Sequence, residues 1–312
     1  MGQPVTVIIT GPTASGKTEL SLLLARHFNA PVISADSRQC YKYLDIGTGK
    51  VSDNILKEIP HYHISSLFPD QPFTASDFAS HVALWRREIH SENKPVIIAG
   101  GSTLYIESVI RPLDPLPAKN EENINKLQEK AQLAGIESIL EVLRKVDPVY
   151  AGRIDGPNPH RIFRALDVWM QTGRAFSSFH SNRTLAPPEN TLLFCIDRER
   201  SMLHDRINKR VDHMIADGLL QEVSSILEMG YDPELQSLRS VGYREAIDHL
   251  QGKISKQDMI EKIKTNTRRY ARRQLTWFRR WKDVHRIHLS ESTEIEVASL
   301  MISRIEQLAA QS

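Results

Sequence analysis

Cysteine, long apolar runs and an excess of one charge are all scarce in this chain of 312 residues. The two cysteines, Cys40 and Cys195, have no metal-ligand spacing, so we expect reduced thiols and no disulfide. No apolar run approaches the roughly 18 residues that span a bilayer, and the N-terminus has no signal-peptide pattern. The formal net charge is +2. We therefore expect a cytoplasmic protein without membrane attachment, and we expect it to be a monomer.

Short strand patterns alternate with helical patterns over the first hundred residues. This alternation is typical of an α/β protein whose parallel sheet is covered by helices on both faces. Between residues 116 and 186 only helical patterns occur, which indicates an all-helical domain inserted into the core. Strands are predicted at 5–10, 31–36, 61–66, 95–101 and 191–197, and the first two helices at 17–28 and 76–90.

The segment "GPTASGKT" lies between the first strand and the first helix and matches a phosphate-binding P-loop. Gly11 and Gly16 let backbone N–H groups approach phosphate oxygens at a helix N-terminus, which favours anions. Lys17 would neutralise phosphate charge, and the Thr18 hydroxyl is the expected Mg²⁺ ligand. The predicted phosphate-binding residues are Gly11, Pro12, Thr13, Ala14, Ser15, Gly16, Lys17 and Thr18. We predict a P-loop NTPase-like core over 1–115 and 187–312, and an inserted helical domain over 116–186.

A Walker-B aspartate, which a P-loop ATPase or GTPase should carry at the end of a core strand, is missing. The strand "PVIIAGGST" ends in glycines, whereas "VISADS" ends in Asp36. Because the carboxyl ends of neighbouring parallel strands line one crevice, Asp36 should face the phosphates. It can hold Mg²⁺, act as a base toward an acceptor, or simply cap a turn. The same crevice argument brings Ser102 and Thr103 near the ligand, unless "AGGSTLY" is only a turn that needs glycine for positive φ.

Two segments suggest contact with a polyanion. Residues 261–286 carry ten Lys or Arg and two acids, a net charge of +8 that leaves −6 for the rest of the chain. Ile263, Tyr270, Trp277 and Trp281 recur at helical spacing, which predicts an apolar face on a basic helix; a merely solvated face is the alternative. In "PNPHRIFRALDVWM", Arg161 and Arg164 share a helix face, which fits either phosphate contact or an ordinary surface. The combination suggests transfer of a phosphorylated donor's group onto a nucleic acid.

Over nearly its whole length the chain resembles the tRNA dimethylallyltransferases. The resemblance lies in "GPTASGKT", "ISADSRQCYKYLDIGTGK", "AGGSTLY", "HRIFRALDVWMQTG", "SLRSVGYREA" and "RRQLTWFR", which occur in the family's order. It implies that dimethylallyl diphosphate gives its five-carbon group to the exocyclic amine of the adenosine just 3′ of the anticodon, and that diphosphate leaves. A P-loop that holds this diphosphate needs no Walker-B acid, because nothing attacks a γ-phosphate.

The resemblance also implies roles for individual residues. Asp36 would accept the proton of the amine, Lys17 and Thr18 with Mg²⁺ would stabilise the leaving diphosphate, and Arg239 would be a second clamp on it. The base must leave its stack to reach such a crevice, and the inserted domain would clasp the anticodon stem-loop. The residues implied in tRNA contact, with the basic helix included, are Asp36, Ser37, Arg38, Gln39, Thr103, His160, Arg161, Ile162, Phe163, Arg164, Arg268 and Arg272.

The chain departs from the family after the third strand, where "HYHISSLF" has Ser65 and Ser66 in place of a common carboxylate; this argues against a metal role there. Three other functions stay open on the sequence alone. A P-loop kinase of a small metabolite or nucleoside explains the loop and Asp36 but leaves the basic helix without a role. Prenyl transfer to a free adenine nucleotide leaves the inserted domain unexplained. In a nucleotide-gated RNA-binding module, Asp36 would be structural.

Overall fold

The structure is a computed structural model that describes residues 5–111, 113–154, 156–180, 187–290 and 292–311. Within these ranges, six parallel strands form one sheet in the order β3-β2-β4-β1-β5-β6. The strands are β1 Thr6–Thr10, β2 Val32–Ser34, β3 His61–Tyr62, β4 Val96–Gly100, β5 Thr191–Asp197 and β6 His285–His288. The fold is therefore the predicted α/β class.

The register of the central strands brings their carboxyl ends to one edge. Thr10 of β1 pairs with Gly100 of β4 on one side and Cys195 of β5 on the other. Ser34 of β2 pairs with Ala99. The P-loop after β1, the Asp36 turn after β2 and the glycines at the end of β4 therefore begin side by side.

Helices cover both faces of this sheet, as the continuous apolar strands require. One face packs against α1 and α13 through residues such as Leu20, Leu24 and Met301, and the other against α3 and α4 through residues such as Phe78 and Ile106. The helices are α1 Lys17–Phe28, α2 Asp53–Glu58, α3 Ala75–Ser91, α4 Thr103–Ile110, α5 Glu121–Ala134, α6 Ile136–Val146, α7 Pro148–Ala151, α8 Pro159–Thr172, α9 Arg200–Ala216, α10 Leu219–Glu228, α11 Tyr243–Leu250, α12 Lys256–Phe278 and α13 Glu294–Gln311. No helix of the described ranges is long and apolar enough to cross a bilayer.

The chain divides into two compact units, one of Met1–Arg111 with Leu185–Ser312 and one of Pro112–Thr184. The second unit contains α5 to α8 and a short 3₁₀ helix, Phe176–Phe179. Its core is formed by its own apolar side chains, among them Leu143, Ile162 and Leu166. The first unit has an additional core where α9 to α12 pack around Tyr243.

The C-terminal end of the basic segment differs from the prediction. We expected one helix through Trp281, but α12 ends at Phe278 with Arg279 as its cap. Trp281 is buried beyond the helix end, in contact with Phe278. The strand β6, which the sequence did not predict, then pairs with β5. A four-residue edge strand has too short a pattern to be recognised without its partner.

Candidate active site

The P-loop connects β1 to α1 in a shape that needs glycine. A Cβ on Gly11 would lie 2.2 Å from the carbonyl oxygen of Ile196, and φ at this residue is +149°. Gly16, with φ +104°, precedes the first residue of α1. The N-terminus of α1 therefore opens on the loop, where its N–H groups and dipole favour an anion.

Lys17 lies at the bottom of this loop. Its Nζ donates a hydrogen bond to the carbonyl oxygen of Pro12 at 2.6 Å. The pKa of Lys17 is lowered to about 8, chiefly by burial and then by the nearby positive charge of Arg210, while the carboxylate of Asp36 opposes the shift. Removal from water makes the ammonium more easily deprotonated, and an anionic ligand would compensate for that cost.

A cavity of about 540 Å³ lies above the loop and is lined entirely by the first unit. Most of the residues that we predicted for the phosphate site and the neighbouring Asp36 turn line this cavity, whereas Gly11, Pro12 and Thr103 do not. Of the predicted site residues, the described wall includes Thr13, Ala14, Ser15, Gly16, Lys17, Thr18, Asp36, Ser37, Arg38, Gln39 and Arg239. Residues from three adjacent strand ends thus share one space with a segment far along the chain.

Asp36 both starts a turn and faces this cavity. Its Oδ1 accepts hydrogen bonds from the backbone N–H groups of Arg38 at 2.9 Å and Gln39 at 3.3 Å. No hydrogen bond from the described residues ends on Oδ2. The turn fixes the carboxylate at the mouth of the P-loop and leaves Oδ2 for a ligand. Asp36 can therefore cap the turn and still act on a ligand, so the turn-cap interpretation does not exclude the other two.

The glycines at the end of β4 are explained by close approach of other groups, and the alternative that they serve a turn with positive φ is not borne out. Neither Gly100 nor Gly101 has positive φ. A Cβ on Gly100 would lie 2.1 Å from the carbonyl oxygen of Ala35, and one on Gly101 would lie 2.4 Å from Nε2 of Gln274. The following Ser102 accepts a hydrogen bond from the N–H of Ser37 at 2.9 Å and thereby joins β4 to the Asp36 turn.

Two arginines of α9 line the cavity, and sequence reasoning missed both. Arg206 donates through Nε to the carbonyl oxygen of Ala14 in the P-loop at 2.9 Å. Arg210, one helical turn later, donates to the carbonyl oxygen of Thr48 at 2.9 Å. Burial lowers the pKa of Arg210, opposed by the charge of Asp36, but a guanidinium stays charged at neutral pH. The sequence feature that could have revealed them is their spacing of four residues, because it places both side chains on one face of the helix.

A third missed residue, Glu222 of α10, holds part of the cavity wall. Its carboxylate accepts the backbone N–H groups of three consecutive residues, Asp45 at 2.9 Å, Ile46 at 2.6 Å and Gly47 at 3.1 Å. It also accepts the hydroxyl of Tyr243 at 2.6 Å. The loop it holds presents residues 47–49 to the cavity.

The basic helix α12 turns one face toward the cavity. Ile263, Thr267, Tyr270 and Gln274 recur on that face and line the space, as does Arg273. Burial raises the pKa of Tyr270 to about 12, and the charge of Asp36 adds to the shift. The helix therefore closes the site with one face and leaves other faces for its charged side chains.

Of the basic residues predicted to contact the diphosphate or the tRNA, some line the cavity and others do not. Arg268 and Arg272 do not line the cavity, and Arg268 donates to Oδ1 of Asn208 at 2.8 Å. Arg239 lines the cavity with a half-exposed side chain that pairs with Glu234 at 2.7 Å. Its remaining N–H donors are available to a ligand in the cavity, because the contact with Glu234 uses only Nη2.

In the inserted unit, only part of the predicted stretch is available for contact. His160 and Arg161 are exposed in the first turn of α8. Ile162 and Phe163 are buried in the unit's core, so the expected nucleotide contact by their side chains is not supported. Arg164 pairs with the fully buried Asp167 at 2.7 Å, within the unit itself. Helical spacing could have shown this, because apolar residues 162 and 166 mark the inward face.

Ser65 follows β3, at the position where the family commonly has a carboxylate. In the structure Ser65 contacts the ammonium group of a lysine. Lys50 is almost fully buried, and its Nζ donates to Oγ of Ser65 at 2.8 Å and pairs with Asp45 at 2.6 Å. Among the described residues, no group of three His, Cys, Asp or Glu side chains could hold a metal ion.

The fold and the cavity define a P-loop protein whose site joins a phosphate-binding loop to a carboxylate at the neighbouring strand end. A sequence model of the family described as IPP transferase matches residues 39–281. The tRNA dimethylallyltransferase of Alkaliphilus metalliredigens is 38% identical over 301 residues, which are 96% of each chain. The full-length tRNA isopentenylpyrophosphate transferase of Bacillus halodurans is 32% identical with a TM-score of 0.72 and 98% of each chain covered. The chain belongs to this family of prenyl-transferring enzymes, which confirms the resemblance.

A third similarity concerns the fold alone. The solved structure of a eukaryotic dimethylallyltransferase acting on tRNA is 24% identical, with a TM-score of 0.78 over 96% of this chain and 79% of that one. The P-loop NTPase-like core predicted from the sequence is confirmed by this likeness together with that to the Bacillus halodurans enzyme. Membership of the prenyl-transferring family does not favour the kinase and binding-module alternatives.

Proposed function

We propose that this protein transfers the dimethylallyl group of dimethylallyl diphosphate to the exocyclic amine of the adenosine immediately 3′ of the anticodon in tRNA. The observation that carries the proposal is the shared cavity of the P-loop and Asp36, closed by one face of the basic helix α12. A phosphate site, a proton acceptor and a cationic helix are the three groups that this reaction needs. Family membership supports the same reaction.

The phosphate side of the cavity would hold the leaving group. Diphosphate accumulates negative charge as the allylic C–O bond stretches, because the allylic carbon can carry the matching positive charge. Lys17 and Arg210 line the cavity beside the N-terminus of α1, so these groups would stabilise that charge where it develops. Arg206 and Arg239 stand at the same wall.

The acceptor side would supply the nucleophile. The nitrogen of the adenine amine attacks the allylic carbon, the C–N bond forms, and the C–O bond breaks with its electron pair going to diphosphate. The amine becomes acidic only as the C–N bond forms, and Asp36 then accepts its proton. The turn hydrogen bonds to Oδ1 hold this carboxylate in place, and Oδ2 is the oxygen we assign to the proton.

Magnesium fits this site in the manner of other P-loops. The exposed Thr18 lines the cavity at the start of α1, and Mg²⁺ is commonly held by one or two protein oxygens together with phosphate oxygens. Its chemistry would be to neutralise charge on the diphosphate. All other roles in the proposal belong to the protein's own groups.

The tRNA would be held by three sets of residues. The turn of Ser37, Arg38 and Gln39 lines the cavity and would contact the flipped base and its neighbours. The inserted unit would clasp the anticodon stem through exposed residues such as His160 and Arg161, and α12 would meet phosphates through Arg268 and Arg272. A cytoplasmic monomer is consistent with this substrate and with two buried free thiols.

The test is a direct product assay. The protein is incubated with unmodified tRNA, dimethylallyl diphosphate and Mg²⁺, and the digested nucleosides are weighed by mass spectrometry. We expect an adenosine heavier by one five-carbon unit, located next to the anticodon by nuclease mapping. ATP turnover without such a product would refute the proposal, and modification of free AMP in preference to tRNA would favour the free-nucleotide alternative.

A further inference from the structure

One polar side chain lies in the buried face of α12. Gln274 is 3% exposed and follows Ile263, Thr267 and Tyr270 along the face that lines the cavity. Such a residue must satisfy both ends of its amide internally, because a buried polar group without a partner is destabilising. Its partners therefore show what the residue does.

Both ends of the Gln274 amide bind backbone groups of the site. Oε1 accepts the N–H of Thr13 in the P-loop at 2.9 Å, and Nε2 donates to the carbonyl oxygen of Gly101 at 2.8 Å. These two groups follow the adjacent strands β1 and β4. A single side chain thus spans the two strand ends that form the floor of the cavity.

The contact with Gly101 is so close that a side chain at position 101 would displace the Gln274 amide. A Cβ on Gly101 would lie 2.4 Å from Nε2 of Gln274, and its next neighbour would be the carbonyl oxygen of Gly11 at 3.5 Å. The N–H of Thr13 is directed at α12, so this group of the loop is used for shape and not for the phosphate. The loop can bind diphosphate through its remaining N–H groups only if Thr13 stays where Gln274 holds it.

We infer that Gln274 is a positioning residue that sets the conformation of the P-loop for diphosphate and connects that loop to the basic helix. The inference rests on the proposed function, since it assumes that the loop holds a diphosphate. Because α12 also carries the charges assigned to tRNA, the amide is the direct link between the RNA-facing helix and the phosphate site.

Two substitutions separate positioning from folding. Gln274→Met keeps the shape of the side chain and removes both hydrogen bonds. We expect it to weaken binding of inorganic diphosphate, measured by calorimetry on the full chain with and without Mg²⁺, by at least tenfold, with the Kd for tRNA changed by less than threefold. Gln274→Glu can still accept from Thr13, but only its protonated form can donate to Gly101.

The pH profile of Gln274→Glu is the decisive signature. We expect its diphosphate Kd, divided by that of the wild type, to fall toward one as the pH drops from 8 to 5.5, because the neutral acid replaces both bonds of the amide. The ratio cancels the titration of groups that both proteins share. The charged and titratable groups that line the cavity are Lys17, Glu19, Asp36, Arg38, Arg206, Arg210, Arg239, Tyr270 and Arg273.

The matched control is Ser255→Ala. Ser255 caps the N-terminus of the same helix by accepting the N–H of Asp258 at 3.1 Å. This variant destabilises α12 without touching the cavity, so its diphosphate Kd should equal that of the wild type.

A wild-type Kd in Gln274→Met, or a Gln274→Glu ratio independent of pH, would overturn the inference. If Gln274→Met does not fold, Gln274→Glu carries the test alone; a wild-type protein that binds no diphosphate would refute the proposed function instead.

Discussion

The affinity of the P-loop for its diphosphate ligand should fall as the pH rises through the pKa of Lys17. That pKa is lowered to about 8, first by burial and then by the charge of Arg210. A bound diphosphate favours the ammonium and raises the pKa in the complex. Binding is therefore strongest below pH 8, where free Lys17 is already protonated, and weakens above it because the free protein must first take up a proton.

The size of the effect follows from the pKa. With a free-state pKa of about 8, Lys17 is about 90% protonated at pH 7 and about 10% at pH 9, so the Kd should rise about tenfold between these values. Two other groups near Lys17 stay protonated in this window, because burial raises the pKa of Cys195 to about 11 and that of Tyr270 to about 12. The last ionisation of a phosphate ester lies near pH 6, so the ligand does not titrate either.

The assay is calorimetric titration of the full chain with dimethylallyl diphosphate in the absence of tRNA, which prevents turnover. Lys17→Gln is the control, and its weaker affinity should not depend on pH between 7 and 9. A wild-type Kd that stays constant up to pH 9.5 would refute the reasoning, since it would mean that Lys17 keeps an ordinary pKa or does not contact the diphosphate.

Three further predictions concern the acceptor side, the basic helix and the inserted unit. Asp36→Asn, which keeps the Oδ1 acceptor of the turn, should lower single-turnover rates by about 10²- to 10⁴-fold with tRNA affinity unchanged; lost binding with intact chemistry would contradict the base role. Replacing Arg268 and Arg272 by Gln should reduce the slope of log Kd against log salt for tRNA by roughly one to two, whereas Lys256→Gln, at the far end of α12, should leave it unchanged; an unaltered slope in the double variant would show that these charges only face solvent. Asp167→Ala should destabilise the inserted unit by about 2–3 kcal/mol, because four hydrogen-bond donors, on Asn120, Asn123, Arg164 and Gln171, lose their buried carboxylate acceptor; hydrogen exchange within Glu121–Thr172 measures this, and protection equal to the wild type would refute it.

Local patterns predicted much of the fold. The first helix was predicted at 17–28 and the strand at 191–197, and both ends agree with α1 and β5. Each has a pattern complete in itself, namely a P-loop before an amphipathic helix and a short, mainly apolar run that ends in an aspartate. The helix α2 and the strand β6 were missed because neither has such a pattern: α2 has no buried residue, and β6 is four residues long.

The candidate site was predictable only where its residues follow strand ends. Asp36 and the P-loop could be brought together from the sequence, because parallel strands align their carboxyl ends. Arg210 and Gln274 could not, because they come from α9 and α12, whose positions over the cavity depend on how the C-terminal helices pack around Tyr243. Ile162 and Phe163 show the reverse error, since a family-like stretch was assigned to RNA as a whole although its helix must bury one face.

The sequence by itself determined which chemical groups the protein has for its function: a loop that binds phosphate, one carboxylate beside it, and a helix whose net charge suits a polyanion. These follow from residue type and spacing, which the chain carries before it folds. Only the tertiary structure decided which groups act together, because the hydrogen bonds that join Gln274 with Thr13 and with Gly101 span 261 and 173 residues of chain. Contacts over such separations have no local pattern, and they depend on how the sheet and the C-terminal helices pack.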